Sequence, residues 1–395
     1  LMTFQDDLAG QRKLVVDYLS HVLTTGHPRF SRLYEAMHYS LLAGGKRIRP
    51  VLLLATVEAL GQDASPYTGL ACALECIHTY SLIHDDLPCM DDDDLRRGKP
   101  TNHVVYGAGL ATLAGDGLLT FAFELMASQK GIAPDKLNRC IAVIARAAGP
   151  AGMVGGQAFD LASDGDMAIG REGMELLHRS KTGVIFKAAI DMAAIVADAS
   201  PQQRQALEAY ASYMGLTFQL TDDILDVVGD EALLGNPVGS DARNDKATYV
   251  TIFSLDEARR MAREAAGKAV QALARHIRVQ MAHTARVQLN GFNARRRNGT
   301  RVHIGVDVRL HHTDLEFVTQ TLDGARQGGR FAGAGRAHQV EQKDPLFFQL
   351  PAQKLGALVV VGEYALFDLQ NPHFVHRYLS LVCLIAWLYQ SSSIV

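Results

Sequence analysis

Apolar residues recur through roughly the first 275 positions at a spacing close to the 3.6 residues of a helical turn. The stretches Leu52–Leu60, Gly69–Asp86, Leu110–Ser128, Lys136–Ala148 and Gln202–Val228 are rich in Ala, Leu, Met and Ile, and their apolar positions gather on helical faces instead of alternating. Several are apolar on more than one face, as the central helices of a large bundle are. Short breakers part them: Gly26-His27-Pro28, Gly61–Pro66, Gly131–Pro134 and Ala199-Ser200-Pro201. Ser200 ahead of Pro201 sets a polar cap before a first-turn proline, which marks a helix start. Farther along the texture changes. Val302, Ile304, Val306, Val308 and Leu310 alternate with Arg301, His303, Asp307 and Arg309 as a strand would, Gly and Arg dominate Gly324–Gly335, and the apolar stretch Tyr378–Tyr389 follows. The pattern predicts an all-α bundle over residues 1–275 and a tail, 276–395, for which no architecture follows.

Charge marks the same boundary. Residues 276–395 hold 13 Lys+Arg against 8 Asp+Glu, and the first 275 hold 26 against 34, so a net −8 gives way to +5. The tail also carries 8 of the 15 His and Trp387, the only Trp. Over the whole chain 39 basic residues face 42 acidic ones, which gives no reason to expect nucleic-acid binding. Five Cys without a paired spacing scheme argue against a disulfide-built secreted fold. Met2–Gln11 is polar and acidic, unlike a targeting leader. No uninterrupted apolar run reaches the ~18 residues a bilayer demands. A soluble cytoplasmic protein, not integral to a membrane, is the expectation.

Two acidic clusters carry the chemistry. The first is Asp85-Asp86-Leu87-Pro88-Cys89-Met90-Asp91-Asp92-Asp93-Asp94, six carboxylates in ten residues, which repel one another unless cations or water compensate. It ends the strongly apolar stretch Cys72–Ile83. Pro88 cannot continue that helix, so the chain should bulge and bring Asp91 back toward Asp85. The second is Asp222-Asp223-Ile224-Leu225-Asp226, where Asp222 and Asp226, four apart, share a helical face. Carboxylates set in two apolar helices call for a shared counter-ion. All-oxygen donors suit Mg²⁺, or Mn²⁺, and because Mg²⁺ uses substrate phosphates as ligands, a phosphorylated substrate is expected between the clusters.

The complement is Gly44-Gly45-Lys46-Arg47-Ile48-Arg49-Pro50, whose glycines permit close backbone approach while Lys46 and Arg49 can hold phosphate oxygens. Arg96 and Arg97 follow the first acidic cluster, and His78 stands about two turns before Asp85 on nearly the same face. Lys181-Thr182-Gly183 adds a charge and a hydroxyl near a helix start, and Gln219 and Lys246 flank the second cluster. One anionic site bridged by metal and another bound by Lys, Arg and His point to a two-substrate condensation. Cys72 and Cys76, on one helix face near His78, lack a fourth ligand at a zinc spacing and read as small core residues.

Taken in order, Gly44–Pro50, Glu75–Gly98, Gly155–Asp160, Lys181–Gly183, Phe218–Asp226 and Asp245–Tyr249 resemble the motifs of the trans-isoprenyl diphosphate synthases, most closely the bacterial farnesyl diphosphate synthases, over Phe4–Arg275. The resemblance implies a helical bundle around a cavity, a homodimer, and Mg²⁺ on an allylic diphosphate. It implies Asp85, Asp91 and Asp222 as metal ligands, with Asp86, Asp223 and Asp226 in the same catalytic clusters and Lys181 beside them. Gly45, Lys46, Arg49, His78 and Arg97 match an isopentenyl diphosphate site, and Arg96, Lys181, Thr182, Gln219 and Lys246 match allylic diphosphate contacts. Gln157 and Asp160 would line the cavity. Tyr80, with Ser81 beside it, would close the cavity floor, and together with the insertion Pro88-Cys89 it matches the fifteen-carbon class.

Two departures accompany it. Gly235-Asn236 stands where the family has Gly-Lys, and the family's last helices are not recognisable beyond about Arg275, where a frame change or fusion would explain the Arg- and His-rich tail. Three other readings stay open: a twenty-carbon synthase of the same family, an inactive or binding homologue, and a class I terpene cyclase. The cyclase is disfavoured because it would replace the second cluster with a mixed Asn/Ser/Glu motif and lack Lys46 and Arg49.

Overall fold

The computed structural model describes residues 4–24, 27–163, 170–228 and 248–289 together with four short strands farther on, and the side chains of 8–24, 27–163, 170–228 and 248–273. Contacts divide the chain into two compact units, Leu1–Leu273 with His376–Val395, and Ala274–Val375. In the second unit the described strands form two antiparallel pairs, β3 (Val308–Leu310) with β4 (Leu315–Phe317) and β5 (Leu358–Val360) with β6 (Leu366–Asp368).

The first unit is built of helices: α1 (Phe4–Val22), α2 (Ser31–Leu41), α3 (Ile48–Ala59), α4 (Thr68–Asp85), α5 (Asn102–Tyr106), α6 (Ala108–Ala127), α7 (Pro134–Ala148), α8 (Met153–Ala162), α9 (Gly170–His178), α10 (Val184–Val196), α11 (Pro201–Val228), α12 (Tyr249–Phe253) and the start of α13 (Leu255–Leu289). A two-residue ribbon, β1 (Leu95–Arg96) against β2 (Lys99–Pro100), follows the first acidic cluster. The composition of α4 explains its place: every residue from Thr68 to Ile77 is buried, so it is covered on all sides. In α3, Leu52, Leu53 and Leu54 are all buried, each contributing about 2 kcal/mol, which is possible only for a helix surrounded by neighbours. Helix α10 is packed by α3, α7 and α11, and α4 lies along α6.

Small residues set the α4–α6 distance. Ala111, Ala114, Gly115, Leu118 and Ala122 of α6 are buried, and a Cβ at Gly115 would collide with the His84 ring. By length and composition α6 is apolar enough to cross a membrane, which uninterrupted runs did not reveal because Asp116 and Glu124 break the run without lowering its average enough. Its buried side is helix-packed core, while Leu113 on its outer side, with Val104 and Val105 of α5, is open. The start predicted at Ser200-Pro201 is present: the Gln203 backbone N–H donates to Ser200 Oγ at 3.2 Å and the Ser200 N–H to Gln203 Oε1 at 2.7 Å, a reciprocal cap ahead of a first-turn proline.

Candidate active site

The acidic turn folds back as the proline demands. Helix α4 stops at Asp85, and the Asp91 N–H donates to the Asp85 carbonyl at 2.9 Å. Asp92 takes a left-handed φ of 51°, and its N–H and that of Met90 both reach Leu87 O. The carboxylates are not equivalent. Asp86 is buried, and Arg96 grips its Oδ1 through Nε at 2.7 Å and Nη2 at 2.5 Å while standing 3.6 Å from Asp93. Asp86 therefore anchors the turn, and Arg96, matched on sequence to a substrate contact, serves first as its partner. Asp91 is exposed at the rim. Asp85, half-buried, has its carboxyl pushed up to about 6, first by burial and further by Asp91 and Asp86, while Lys181 and Arg96 act against this.

Lys181 does not sit at a helix start. It lies in a single π turn, Arg179–Gly183, that joins α9 to α10 without a break, and such wide turns recur at functional sites because they turn side chains out of register. Helix α8 approaches this turn so closely that a Cβ at Gly156 would stand 2.6 Å from the Lys181 nitrogen. Its ammonium donates to Asp160 Oδ2 at 2.6 Å, both side chains being largely covered. Thr182 is half-buried in the same turn.

On α11 the three aspartates divide. Asp222 is exposed and Asp226 half-buried. Asp223, 2% exposed, points into the packing, where it accepts from Gln219 Nε2 at 2.7 Å and from the Tyr249 backbone N–H at 2.7 Å. Asp223, read on sequence as catalytic, locks α11 to α12, and Gln219, read as a binding residue, braces it from one turn earlier on α11. Asp222 acts electrostatically on both Lys46 and Arg49, so the second acidic cluster faces the basic loop.

In that loop Gly44 and Gly45 have φ of 98° and 113°, and the Arg97 guanidinium, which donates to Gly44 O, leaves no room for a Cβ at Gly45. Arg47 caps α3 in a left-handed conformation, buried, with Nη1 2.5 Å from Glu75 Oε1 and Nη2 donating to Leu41 O at 2.7 Å. Arg49 is half-buried. Its guanidinium carbon stands 4.7 Å from the centre of the Phe186 ring, and its Nε is buried without a protein partner. His78 feels four guanidiniums: burial first, then Arg49, Arg97, Arg96 and Arg47, hold it well below its ordinary value, hence neutral. These guanidiniums concentrate positive charge around one imidazole.

Tyr80 is buried, its ring edge-on to His84 with centroids 5.7 Å apart, and burial, with Asp85 as a second cause, pushes its phenol up to about 12. Ser81 Oγ donates to the His78 carbonyl at 2.9 Å, turned back onto its own helix. Lys246 and Gly235-Asn236 lie outside the described residues. Cys72, Cys76, Cys89 and Cys140 are free thiols, and Cys72 and Cys76 are buried as core residues.

A family model for polyprenyl synthetase matches residues 30–282. The chain belongs to this family. The farnesyl diphosphate synthase of Geobacillus stearothermophilus is 50% identical over 63% of this chain and 82% of its own length. The geranylgeranyl diphosphate synthase of Cyanophora paradoxa is 44% identical over 63% and 83%. Among solved structures, a Helicobacter pylori geranyltransferase complexed with magnesium and isoprenyl diphosphate is 30% identical, with a TM-score of 0.61 over 72% of this chain and 96% of that one. The chain is accordingly a prenyltransferase with the all-α fold of this family.

Among the described residues no three His, Cys, Asp or Glu side chains stand close enough together to hold a metal unaided. Mg²⁺ ordinarily keeps waters and completes its shell with substrate phosphate oxygens. Three contacts around this loop escaped the sequence reading: Glu75, Arg47 as its buried mate, and Phe186 beside Arg49. Each is buried and ordinary in its local pattern, so only the fold reveals what it touches.

Proposed function

We propose that this prenyltransferase carries out Mg²⁺-dependent head-to-tail condensation of isopentenyl diphosphate with dimethylallyl and then geranyl diphosphate, releasing farnesyl diphosphate and diphosphate. The observation that carries the product is Tyr80, buried five residues before Asp85 and electrostatically in touch with it. An aromatic ring so near the acidic turn leaves a shallow floor for the growing tail. Asp85 and Asp91 from one wall and Asp222 from the other are the residues that would hold Mg²⁺. The fit is supported by Asp85, a carboxyl driven to about 6 by burial and by its acidic neighbours, which a cation would relieve. Bound there, the metal supplies neutralisation of the charge that develops on a departing diphosphate.

The chain's own residues do the rest. Lys181, steadied by Asp160, adds a fixed cation beside Asp85. Arg96 holds the acidic turn through Asp86. Lys46, Arg49, Arg97 and neutral His78 receive the isopentenyl diphosphate, whose double bond attacks the allylic carbon as the allylic diphosphate leaves, and the cation so formed on the isopentenyl unit gives up a proton to the departed diphosphate. The buried apolar helices keep water from the cation. A twenty-carbon product is the competing reading, supported by the mixture of farnesyl and geranylgeranyl synthases among the relatives. A homodimer is proposed through the open apolar face of α5 and α6, and a cytoplasmic setting agrees with the free thiols of the described cysteines. We also place the end of the catalytic domain near residue 275, with 276–395 a divergent tail, a division supported by the start of the second compact unit at Ala274, while His376–Val395 group with the first unit.

The test is the full chain with isopentenyl and dimethylallyl diphosphates and Mg²⁺, followed by product chromatography. A dominant fifteen-carbon diphosphate is expected. No condensation, or a twenty-carbon product, overturns the proposal.

A further inference from the structure

Phe186 lies on α10, outside the motifs that carry the chemistry, yet it is fully buried directly under Arg49. Its ring also leans at 55° on Phe218, centroids 4.9 Å apart, and Phe218 precedes Gln219 on α11. Two arginines only two positions apart are thus treated in opposite ways. Arg47 is inside, paired with Glu75 at 2.5 Å and bonded to Leu41 O, so its charge is neutralised within the protein. Arg49 is half-buried with an orphaned Nε, and the carboxylates that act on it, Glu75 and Asp222, do so without forming an ion pair. An aromatic face lies against its guanidinium instead. A ring lowers the free energy of a desolvated cation without contributing a formal negative charge. It therefore fixes the plane of the guanidinium while leaving the donors to an arriving anion, where a carboxylate would compete with phosphate oxygens.

We propose that Phe186 is a positioning residue of the isopentenyl diphosphate pocket: its ring orients Arg49, keeps it un-neutralised for the diphosphate, and ties the pocket to α11 through Phe218. This rests on the reading of Lys46 and Arg49 as that pocket.

The experiment is calorimetric binding of isopentenyl diphosphate alone to the full chain, with steady-state kinetics alongside. Phe186 is replaced by phenylalanines carrying one, two and three ring fluorines, which drain the π face with little change of volume, and by Phe186→Met, which fills the space without a ring. The Kd should rise stepwise with fluorination, reaching about tenfold at three fluorines and in Phe186→Met. The Tm of the fluorinated series, kcat and the KM for dimethylallyl diphosphate should stay within experimental scatter. A flat fluorine series, or an equal rise in the KM of both substrates, overturns the role of Phe186. Arg49→Gln separates the two levels. If it binds isopentenyl diphosphate as tightly as the unaltered chain, the reading of the pocket falls and the proposal with it. If it loses binding while the fluorine series is flat, the proposal alone falls.

Discussion

The Tyr80 ring, buried on α4 five residues before Asp85 and edge-on to His84, is the proposed floor of the cavity. Removing it in Tyr80→Ala opens space along α4 at about 2–4 kcal/mol in stability and should shift the product from fifteen to twenty or more carbons; unchanged chain length on chromatography would remove Tyr80 from the floor. Another residue-scale consequence concerns acid. His178 ends α9 with its ring stacked on Tyr249, centroids 5.5 Å apart, and its Nε2 is buried without a hydrogen-bond partner. Burial, helped by Lys181 and opposed by Asp160, presses it down to about 4, and His78 is pressed the same way. Between their ordinary values near 6.5 and these lower ones the unfolded chain binds the extra protons, so stability is present above pH about 6.5 and lost as pH falls toward about 4. Unfolding free energies from urea titrations at pH 7.5 and 5.0 should differ by on the order of 2 kcal/mol more in the unaltered chain than in His178→Phe; equal differences would show that the imidazole does not titrate in this range.

At the scale of elements, the helices were legible because their apolar spacing is long and regular, and the fold-back of the acidic turn was legible because Pro88 forbids a continued helix. The π turn was not. Its single extra residue leaves no mark in a 3.6-residue pattern, and Lys181 read as a helix start for that reason. Nor was the division among Asp222, Asp223 and Asp226 legible, since it depends on α12 arriving with a free Tyr249 N–H after a separation of 26 residues. The fit of α8 against the π turn yields a sharp prediction. Gly156→Ala puts a methyl group into the Lys181 backbone, so turnover should fall at least about tenfold, while the melting temperature drops by only a few degrees, about 1–3 kcal/mol of overpacking. Full activity in Gly156→Ala would mean that the turn has slack.

For the whole molecule, Leu113, Val104 and Val105 are 55%, 48% and 42% exposed on the neighbouring helices α6 and α5, and the proposed dimer would cover them. Leu113→Asp should convert a dimer to a monomer in light scattering; a monomer before the substitution would dismiss the interface. The charge boundary at 275 was visible in composition, but α13 runs to Leu289 and the family match to residue 282, because a helix can continue through a change of composition. Ending the chain after Leu289 should leave condensation within about threefold if the tail stands apart from the chemistry. A large loss in the KM for isopentenyl diphosphate alone would show that later residues close that pocket.

The bond from the Asp91 N–H to the Asp85 carbonyl ties the spacing of the two carboxylates to the length of the turn. A separation of six works because the chain doubles back on itself. Removing both Pro88 and Cys89 would leave a separation of four, where an unbroken helix already brings two carboxylates to one side. Removing Cys89 alone would leave five, which neither the reversal nor the helix accommodates. The two workable spacings therefore differ by two residues, and the intermediate length brings the carboxylates together by neither route.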